Sequence, residues 1–530
     1  MHFRAILCLV ISIVSCAALD QSPSGKSSWT GKLLVVPMDG SHWTEGVKAV
    51  AEEMGRRGHT VIVVIPEISM RLGPGKHYIT KTFPVSYGQD LISQIMEDHV
   101  RELTAPGQSL LMSVTSTVGI MLKVFNLMVS TSESLFKSQE LIEFLRAQNF
   151  DAVLTDPALP MGPILAYNLS VPTVYMLRGL PCDAAATARP DPPSYIPHFF
   201  TQNSDRMSFG QRVLNVLVSM LDPLACKFMY WPFEEVASNF LQRDVSMAEI
   251  LSTGAVWLMR YDFTLEFPKP LMPNMHLIGG INCERRNPLT KEVEEFVKGS
   301  GEHGIVVFSL GSLVSSMPKE KAAIFFEAFS MIPQRVLWRY TGEIPDNVPE
   351  NVKLMKWLPQ NDLLGHPKAK AFITHGGTHG IYEGICHGVP MVMLPLFGDQ
   401  GDNVHRVATR GVGVILNIHD ITVQTLVDAL NAVINDSSYK QKMEKLSAIH
   451  NDRPIQPLDL AVYWTEFVMR HKGAEHLRPA AHDLNWLQYH SLDVIGFLLF
   501  IVLIVTLVTF KCCGLCWRRC CRKTQKRKED

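Results

Sequence analysis

The sequence predicts an α/β protein built from two doubly wound domains facing each other across a cleft, followed by one membrane-crossing helix. Three observations carry this. Strand–helix–strand units open two separate halves, near residues 32 and 305. Further apolar strands alternate with helical stretches in both halves, the signature of parallel sheets. Near the C-terminus an uncharged run approaches the length needed to cross a bilayer. At 530 residues the chain exceeds one ordinary domain, and with 47% hydrophobic and 19% charged residues it is too water-compatible for a many-span membrane protein. A net charge of −1 with no basic field in the body excludes a nucleic-acid partner.

The ends set the compartment. Arg4, an apolar run from Ala5 to Val14 and small residues at Ala17 and Ala18 have the layout of a secretory signal peptide covering residues 1–18. The late run Val494 to Phe510, extended by Leu492, predicts a transmembrane helix over 492–510. Residues 511–530 then hold eight Lys or Arg against two acids, so the tail is expected in the cytosol and the body in the lumen, a single-pass type I arrangement. The last five residues, Lys526 to Asp530, have the K-x-K-x-x pattern of a receptor-read retrieval address, which predicts the endoplasmic reticulum membrane. Four cysteines face the lumen: Cys182, Cys226, Cys283 and Cys386. Their wide spacing fits free buried thiols as well as bridges, and no pairing is predicted. The five tail cysteines fit palmitoylation or inert thiols better than a metal site. Asn168 and Asn435 begin glycosylation sequons.

The first half, 30–280, opens with the strand KLLVVP, the helical TEGVKAVAEEMGRRG and the strand HTVIVVIP. Strands are also expected at 152–157, 171–177 and 255–260. A Gly/Asn/Pro-rich stretch predicts a linker over 281–303. The second half, 304–450, has strands at IVVFS, RVLWR, 369–375 and 389–395, and a helix from Lys319 to Met331. Helices over 451–490 are expected to pack back toward the first half. The apolar run 110–129 is too polar for a second span and reads as an amphipathic helix over an apolar pocket or against the membrane, with packing in the core as the equal alternative.

In open α/β sheets ligands bind beyond the carboxyl ends of the strands. Neither a dinucleotide fingerprint nor a P-loop occurs there, which argues against an NAD enzyme. The informative segment runs from Trp357 to Gln400 and contains Phe372-Ile373-Thr374-His375-x-Gly377, then Glu383, then Asp399-Gln400. It resembles the nucleotide-sugar signature of the UDP-glycosyltransferases. The likeness extends through the C-terminal half and is strongest to vertebrate UDP-glucuronosyltransferases of the first subfamily. It implies two facing Rossmann-like domains of the GT-B type, UDP-glucuronate as co-substrate with no other cofactor, small lipophilic acceptors, and a place for His379 in the donor site. UDP-glucose and UDP-N-acetylglucosamine stay open as donors, because the glucuronic acid is inherited from the resemblance. Homo- or hetero-oligomers are also left open.

Physical reasons stand beside that likeness. Gly376 and Gly377 let a helix start with bare amides, so a diphosphate meets its positive end, with His375 in reach. Glu383 suits the two ribose hydroxyls. Trp357 offers a flat face for uracil, worth about 1–3 kcal/mol, and Gln360 the base edge or ribose. Asp399 and Gln400 suit sugar hydroxyls. Ser309, Gly311 and Ser312 supply phosphate donors, and Arg339, or more weakly Arg260, balances the diphosphate charge. No D-x-D metal motif is needed. His42, after the first strand, carries an imidazole, the side-chain type suited to take a proton at neutral pH, and is expected to serve as base toward the acceptor, with Asp156 fixing its tautomer; Asp151 is the weaker alternative because it belongs at the opposite sheet edge. A sugar-binding receptor without catalysis is the main rival reading, and a Ser-His-Asp hydrolase lacks a G-x-S-x-G elbow.

Overall fold

The computed structural model describes residues 29–104, 110–179, 182–283, 287–312 and 314–526. The expected signal peptide and residues 527–530 of the retrieval address lie outside them. Seven strands, β1 (Lys32–Val36), β2 (Thr60–Pro66), β3 (Ile79–Phe83), β4 (Ala152–Thr155), β5 (Thr173–Leu177), β6 (Gly254–Met259) and β7 (Met275–Leu277), form one parallel sheet in the order β3-β2-β1-β4-β5-β6-β7. Six more, β8 (Ile305–Ser309), β9 (Arg335–Arg339), β10 (Val352–Met355), β11 (Ala369–Thr374), β12 (Met391–Met393) and β13 (Gly413–Ile415), form a second parallel sheet, ordered β10-β9-β8-β11-β12-β13. Inner strands such as β4, β5, β8 and β11 are apolar on both faces because helices cover both.

Each sheet reverses its winding once, between β1 and β4 and between β8 and β11. Those are the switch points at which the flanking helices diverge and leave a crevice. Register aligns the crevices with the chemistry. Val36 pairs with Thr155, so the residues after both strands emerge side by side; Thr374 pairs with Ser309 in the same way.

The charged segment 291–298 is a helix that packs on the second sheet, with Val293 and Val297 buried and Arg335 donating to the Phe296 carbonyl at 2.7 Å. The connection between the halves is therefore shorter than the composition implies. Helix Pro457–His471 crosses back to the first sheet, where Leu458, Ala461, Val462, Val468 and Met469 join a core with Leu33, Val35 and Leu258. The C-terminal helix runs from Leu492 to Lys526, well past the expected end at 510, because nothing in the basic stretch breaks it; within Leu492–Arg519 an 18-residue stretch has a mean hydropathy of 2.8, and the helix is long enough to cross a bilayer. A second helix, Phe209–Leu241, meets the same test at 1.3. It belongs to the body, since Phe233 is buried and the Tyr230 hydroxyl donates to the Pro157 carbonyl at 2.8 Å.

Two disulfides join the four body cysteines, Cys182–Cys226 and Cys283–Cys386. Sequence spacing left the pairing undecided because the partners are distant in the chain and meet only through the tertiary fold. The second bond ties the end of the interdomain connection to the last turn of helix Thr378–Cys386. Closing so long a loop limits the unfolded chain and stabilises by about 2–4 kcal/mol. Cys386→Ser is expected to lower Tm accordingly and to free one thiol for a reagent in unreduced, denatured protein; unchanged Tm and no new thiol would show the bond does not form.

Candidate functional site

His42 sits in the first turn of the helix that follows β1, and Asp156 directly follows β4. Their strands are neighbours, and the His42 Nδ1 lies 2.6 Å from an Asp156 carboxylate oxygen. Asp156 is fully buried, and His42 is 30% exposed, so the pair has one dry and one wet end. Burial pushes the Asp156 carboxyl up, but the His42 and Arg260 charges, with the Ala158 amide, hold it below its ordinary value. The carboxylate therefore stays ionised through neutrality, and its bond at Nδ1 fixes the tautomer in which the other ring nitrogen, Nε2, is the acceptor. Arg260, after β6, lies 3.3 Å from the same Nδ1. Asp151 is at the far edge: it accepts from the Lys32 amide at the start of β1 and pairs with Lys472.

On the facing sheet, Ser309, Thr374 and Arg339 end three adjacent strands. The His375 ring packs between two glycines. A Cβ on Gly311 would come within 2.6 Å of it, as would one on Gly377, and Gly311 also has φ +85°. Larger residues would expel the imidazole. Gly377 caps helix Thr378–Cys386 in an extended conformation, so the first helical amides open toward the cleft. On that helix His379 and Glu383 lie one turn apart, and the His379 Nε2 is 3.0 Å from the Glu383 carboxylate. Gln360 donates to the same carboxylate from the start of a neighbouring helix.

Asp399 precedes helix Gln400–Thr409 and accepts from Asn403 Nδ2 at 2.9 Å. The Gln400 carbonyl oxygen is occupied by the Leu396 and Phe397 amides, at 2.8 and 3.1 Å, which leaves its NH2 as the outward-acting group. Thr374 is fully buried and accepts from the Gly376 amide at 3.3 Å, so it shapes the loop. Ser309 likewise accepts from the Gly311 amide at 3.3 Å. Arg339 donates to the Gly311 and Ser312 carbonyls, bracing that loop from behind; burial and the nearby Arg71 lower its pKa to about 10.

Three of the candidate residues, Arg260, His379 and Glu383, meet in one crevice. A small cavity between the halves is lined by Arg260 and Ile278 on one side and by Thr378, His379 and Glu383 on the other, and Asn282 bridges them, 3.4 Å from His379 Nδ1 and donating to the Thr44 carbonyl at 3.3 Å. Trp357 is 55% exposed, as a stacking platform requires, but its ring is already flanked by cations: Arg71 of the first half at 4.7 Å and Arg339 at 5.4 Å from the centroid. Arg71, Arg178 and Asn282 were not singled out in the sequence. Arg178 directly follows β5, so the strand-end rule that nominates His42 applies to it equally. Among the described residues Cys283, Cys386 and His450 are close enough to hold a metal ion, but the two sulfurs are bonded to each other.

Comparison with known proteins agrees with this geometry. The family model described as UDP-glucoronosyl and UDP-glucosyl transferase matches residues 31–528. UDP-glucuronosyltransferase 1A6 of Homo sapiens is 52% identical over 494 residues, covering 93% of this chain and 92% of that protein. UDP-glucuronosyltransferase 1A1 of Mus musculus is 52% identical over 497 residues, with the same coverage of both. Among solved structures, the calicheamicin glycosyltransferase CalG4 superposes with a TM-score of 0.57 at 15% identity, over 84% of this chain and 99% of its own. A UDP-glucosyltransferase from Polygonum tinctorium gives 0.56 at 15%, over 84% and 99%. The fold is thus that of the two-domain GT-B glycosyltransferases, and the chain belongs to the UDP-glucuronosyl and UDP-glucosyl transferase family.

Proposed function

We propose that the protein transfers glucuronic acid from UDP-glucuronate to a hydroxyl of a small lipophilic acceptor, by one direct displacement in the cleft. His42 Nε2 takes the acceptor proton as the oxygen bonds to C1 of the sugar, and the bond from C1 to the diphosphate oxygen breaks on the opposite face. Configuration at C1 inverts. UDP departs toward the first amides of helix Thr378–Cys386 and His375, whose fixed dipoles stabilise the developing charge without reorganisation. Glu383 and Gln360 bind the ribose and base, Trp357 stacks the uracil beside its two guanidinium neighbours, and Asp399 and Gln400 hold the sugar. The observation that carries this reading is the 2.6 Å His42–Asp156 contact at one switch point, linked through Arg260 and the shared cavity to the donor helix at the other.

A chamber of about 440 Å³ between helices Gln89–Thr104 and Leu110–Lys137 supports an oily acceptor. Tyr87, Leu91, Ile95 and Leu127 line it, with an Asp98–Lys123 pair at 2.9 Å, and such a volume suits a drug-sized ligand. His99 of the same helix meets the Phe397 ring at 4.5 Å, two residues before Asp399, so the chamber adjoins the donor loop. The apolar C-terminal helix and basic tail support a single-pass anchor with the body in the lumen of the endoplasmic reticulum, where disulfides persist.

The full chain in detergent, given a phenol with UDP-glucuronate, UDP-glucose or UDP-N-acetylglucosamine, is expected to release UDP and glycosylate the phenol chiefly from UDP-glucuronate. Transfer from UDP-glucose alone would overturn the donor assignment, and no UDP release from any donor would favour a binding protein.

A further inference from the structure

Asp399, the carboxylate assigned to the sugar, is held by Asn403, which is itself held from across the cleft. Asn403 sits one helical turn beyond Asp399, with 0% exposure. Its Nδ2 donates to the Asp399 carboxylate at 2.9 Å, the Gly376 carbonyl at 3.2 Å and the Thr378 hydroxyl at 3.4 Å. Its Oδ1 faces two arginines: Arg178 Nη2 at 3.0 Å and Arg406 Nη1 at 3.4 Å. A guanidinium can only donate, so both cations require the amide oxygen on their side and fix the NH2 toward Asp399. The amide cannot flip.

Arg406 belongs to the donor half, but Arg178 comes from the end of β5 in the other half. It also donates to the Thr378 hydroxyl at 3.1 Å and pairs with Glu266. Glu266 is buried and also lies 3.2 Å from Arg406, so the cation crossing the cleft is itself anchored. The same helix is gripped once more, because Asp402 accepts from the Phe200 and Gln202 amides at 2.7 and 2.8 Å.

We propose that Arg178, acting through Asn403, is a positioning residue for the donor sugar: closure of the two halves orients the Asp399 carboxylate, occupying one oxygen and presenting the other to a sugar hydroxyl. Capture of the sugar is thereby coupled to closure, whereas the residues assigned to the UDP handle all belong to the second half. This rests on the transferase reading given above. Nothing touches the reacting atoms in this chain of contacts; its effect is on how much tighter the sugar nucleotide binds than UDP itself.

Asn403→Asp keeps an oxygen for both arginines but replaces the donor facing Asp399 with a second negative charge. Arg178→Lys keeps a cation beside Glu266 but loses the fork, while Arg406 still orients the amide. The experiment is calorimetric binding of UDP and of UDP-glucuronate to the full chain, together with kcat and KM. For Asn403→Asp, whose Nδ2 also touches the Gly376 carbonyl and the Thr378 hydroxyl at the helix start, the expected result is that UDP-glucuronate loses about tenfold to a hundredfold more affinity than UDP, the weight of a charge-assisted hydrogen bond, with KM raised to match. Arg178→Lys is expected to change in the same sense by less. A purely structural role predicts that UDP and UDP-glucuronate weaken together, with a lower Tm. Either that result in both variants, or no change in either, would overturn the proposal. If the unaltered chain binds UDP but does not distinguish UDP-glucuronate from it, the transferase reading itself fails and this inference with it.

Discussion

Replacing His42 with alanine is expected to lower kcat for a phenolic acceptor by about 10²–10⁴-fold, the usual worth of a positioned general base. UDP affinity should stay as it is, because the imidazole stands at the end of β1 and none of its contacts reaches the diphosphate residues of the second half. Asp156→Asn is the companion test. An amide donating from its NH2 would favour the wrong imidazole tautomer and leave the ring oriented but unable to accept a proton at Nε2, so the loss should approach that of the alanine variant. Single-turnover product formation with UDP binding measured in parallel checks both. Retained turnover in His42→Ala would remove the residue from the chemistry, and equal loss of turnover and UDP binding would reveal a folding defect instead.

The second large effect concerns affinity. Glu383→Ala removes a buried carboxylate that accepts from Gln360 and His379 and faces the ribose position. Two charge-assisted hydrogen bonds to the ribose vanish, and two half-buried donors lose their acceptor. At about 1.5–3 kcal/mol for each charged hydrogen bond, the KM for UDP-glucuronate should rise by about a hundredfold or more. The ribose contacts are the same before and during displacement, so this is uniform binding, and kcat at saturating donor should be nearly preserved. Initial rates across donor concentration, with acceptor saturating, separate the two. A fall in kcat at unchanged KM would place Glu383 in the chemistry rather than at the ribose.

These opposite signatures follow from where the residues lie, and their location was largely legible in the sequence. Each inner strand of both sheets reads as a continuous apolar run because two helical layers bury both of its faces. The four strands that such runs do not announce, β3, β7, β10 and β13, are the four sheet edges. In β3 the sequence ITKTF places three polar residues in a row and buries only Phe83; β7 and β13 have three residues each, too few for a periodicity. Strand ends gave His42 and Asp156, since parallel neighbours end on the same side. They equally point to Arg178, which carries no motif and gains meaning only when Asn403 of the other half comes within 3.0 Å. Cross-cleft partners are invisible in one dimension for that reason. The same holds for Trp357, whose flat face is a fair reading of the residue type, while the guanidinium of Arg71 over it is a product of domain packing. Gln400 and Thr374 show a subtler limit: the motif includes them, but their oxygens are occupied by backbone amides of their own loops. The disulfides belong with these cases, because sequence separations of 44 and 103 residues close only in the folded chain.

The direct displacement between two facing switch points is tested most directly by the anomeric configuration of the product. The full chain is supplied with α-linked UDP-glucuronate and a phenol, and the glycoside is read by proton NMR before it can equilibrate. One attack by an acceptor oxygen deprotonated at His42, on the face opposite the departing diphosphate, gives the β-glucuronide alone. An α-glucuronide would mean two displacements through a covalent intermediate, and a single-base site built on His42 and Asp156 would be contradicted.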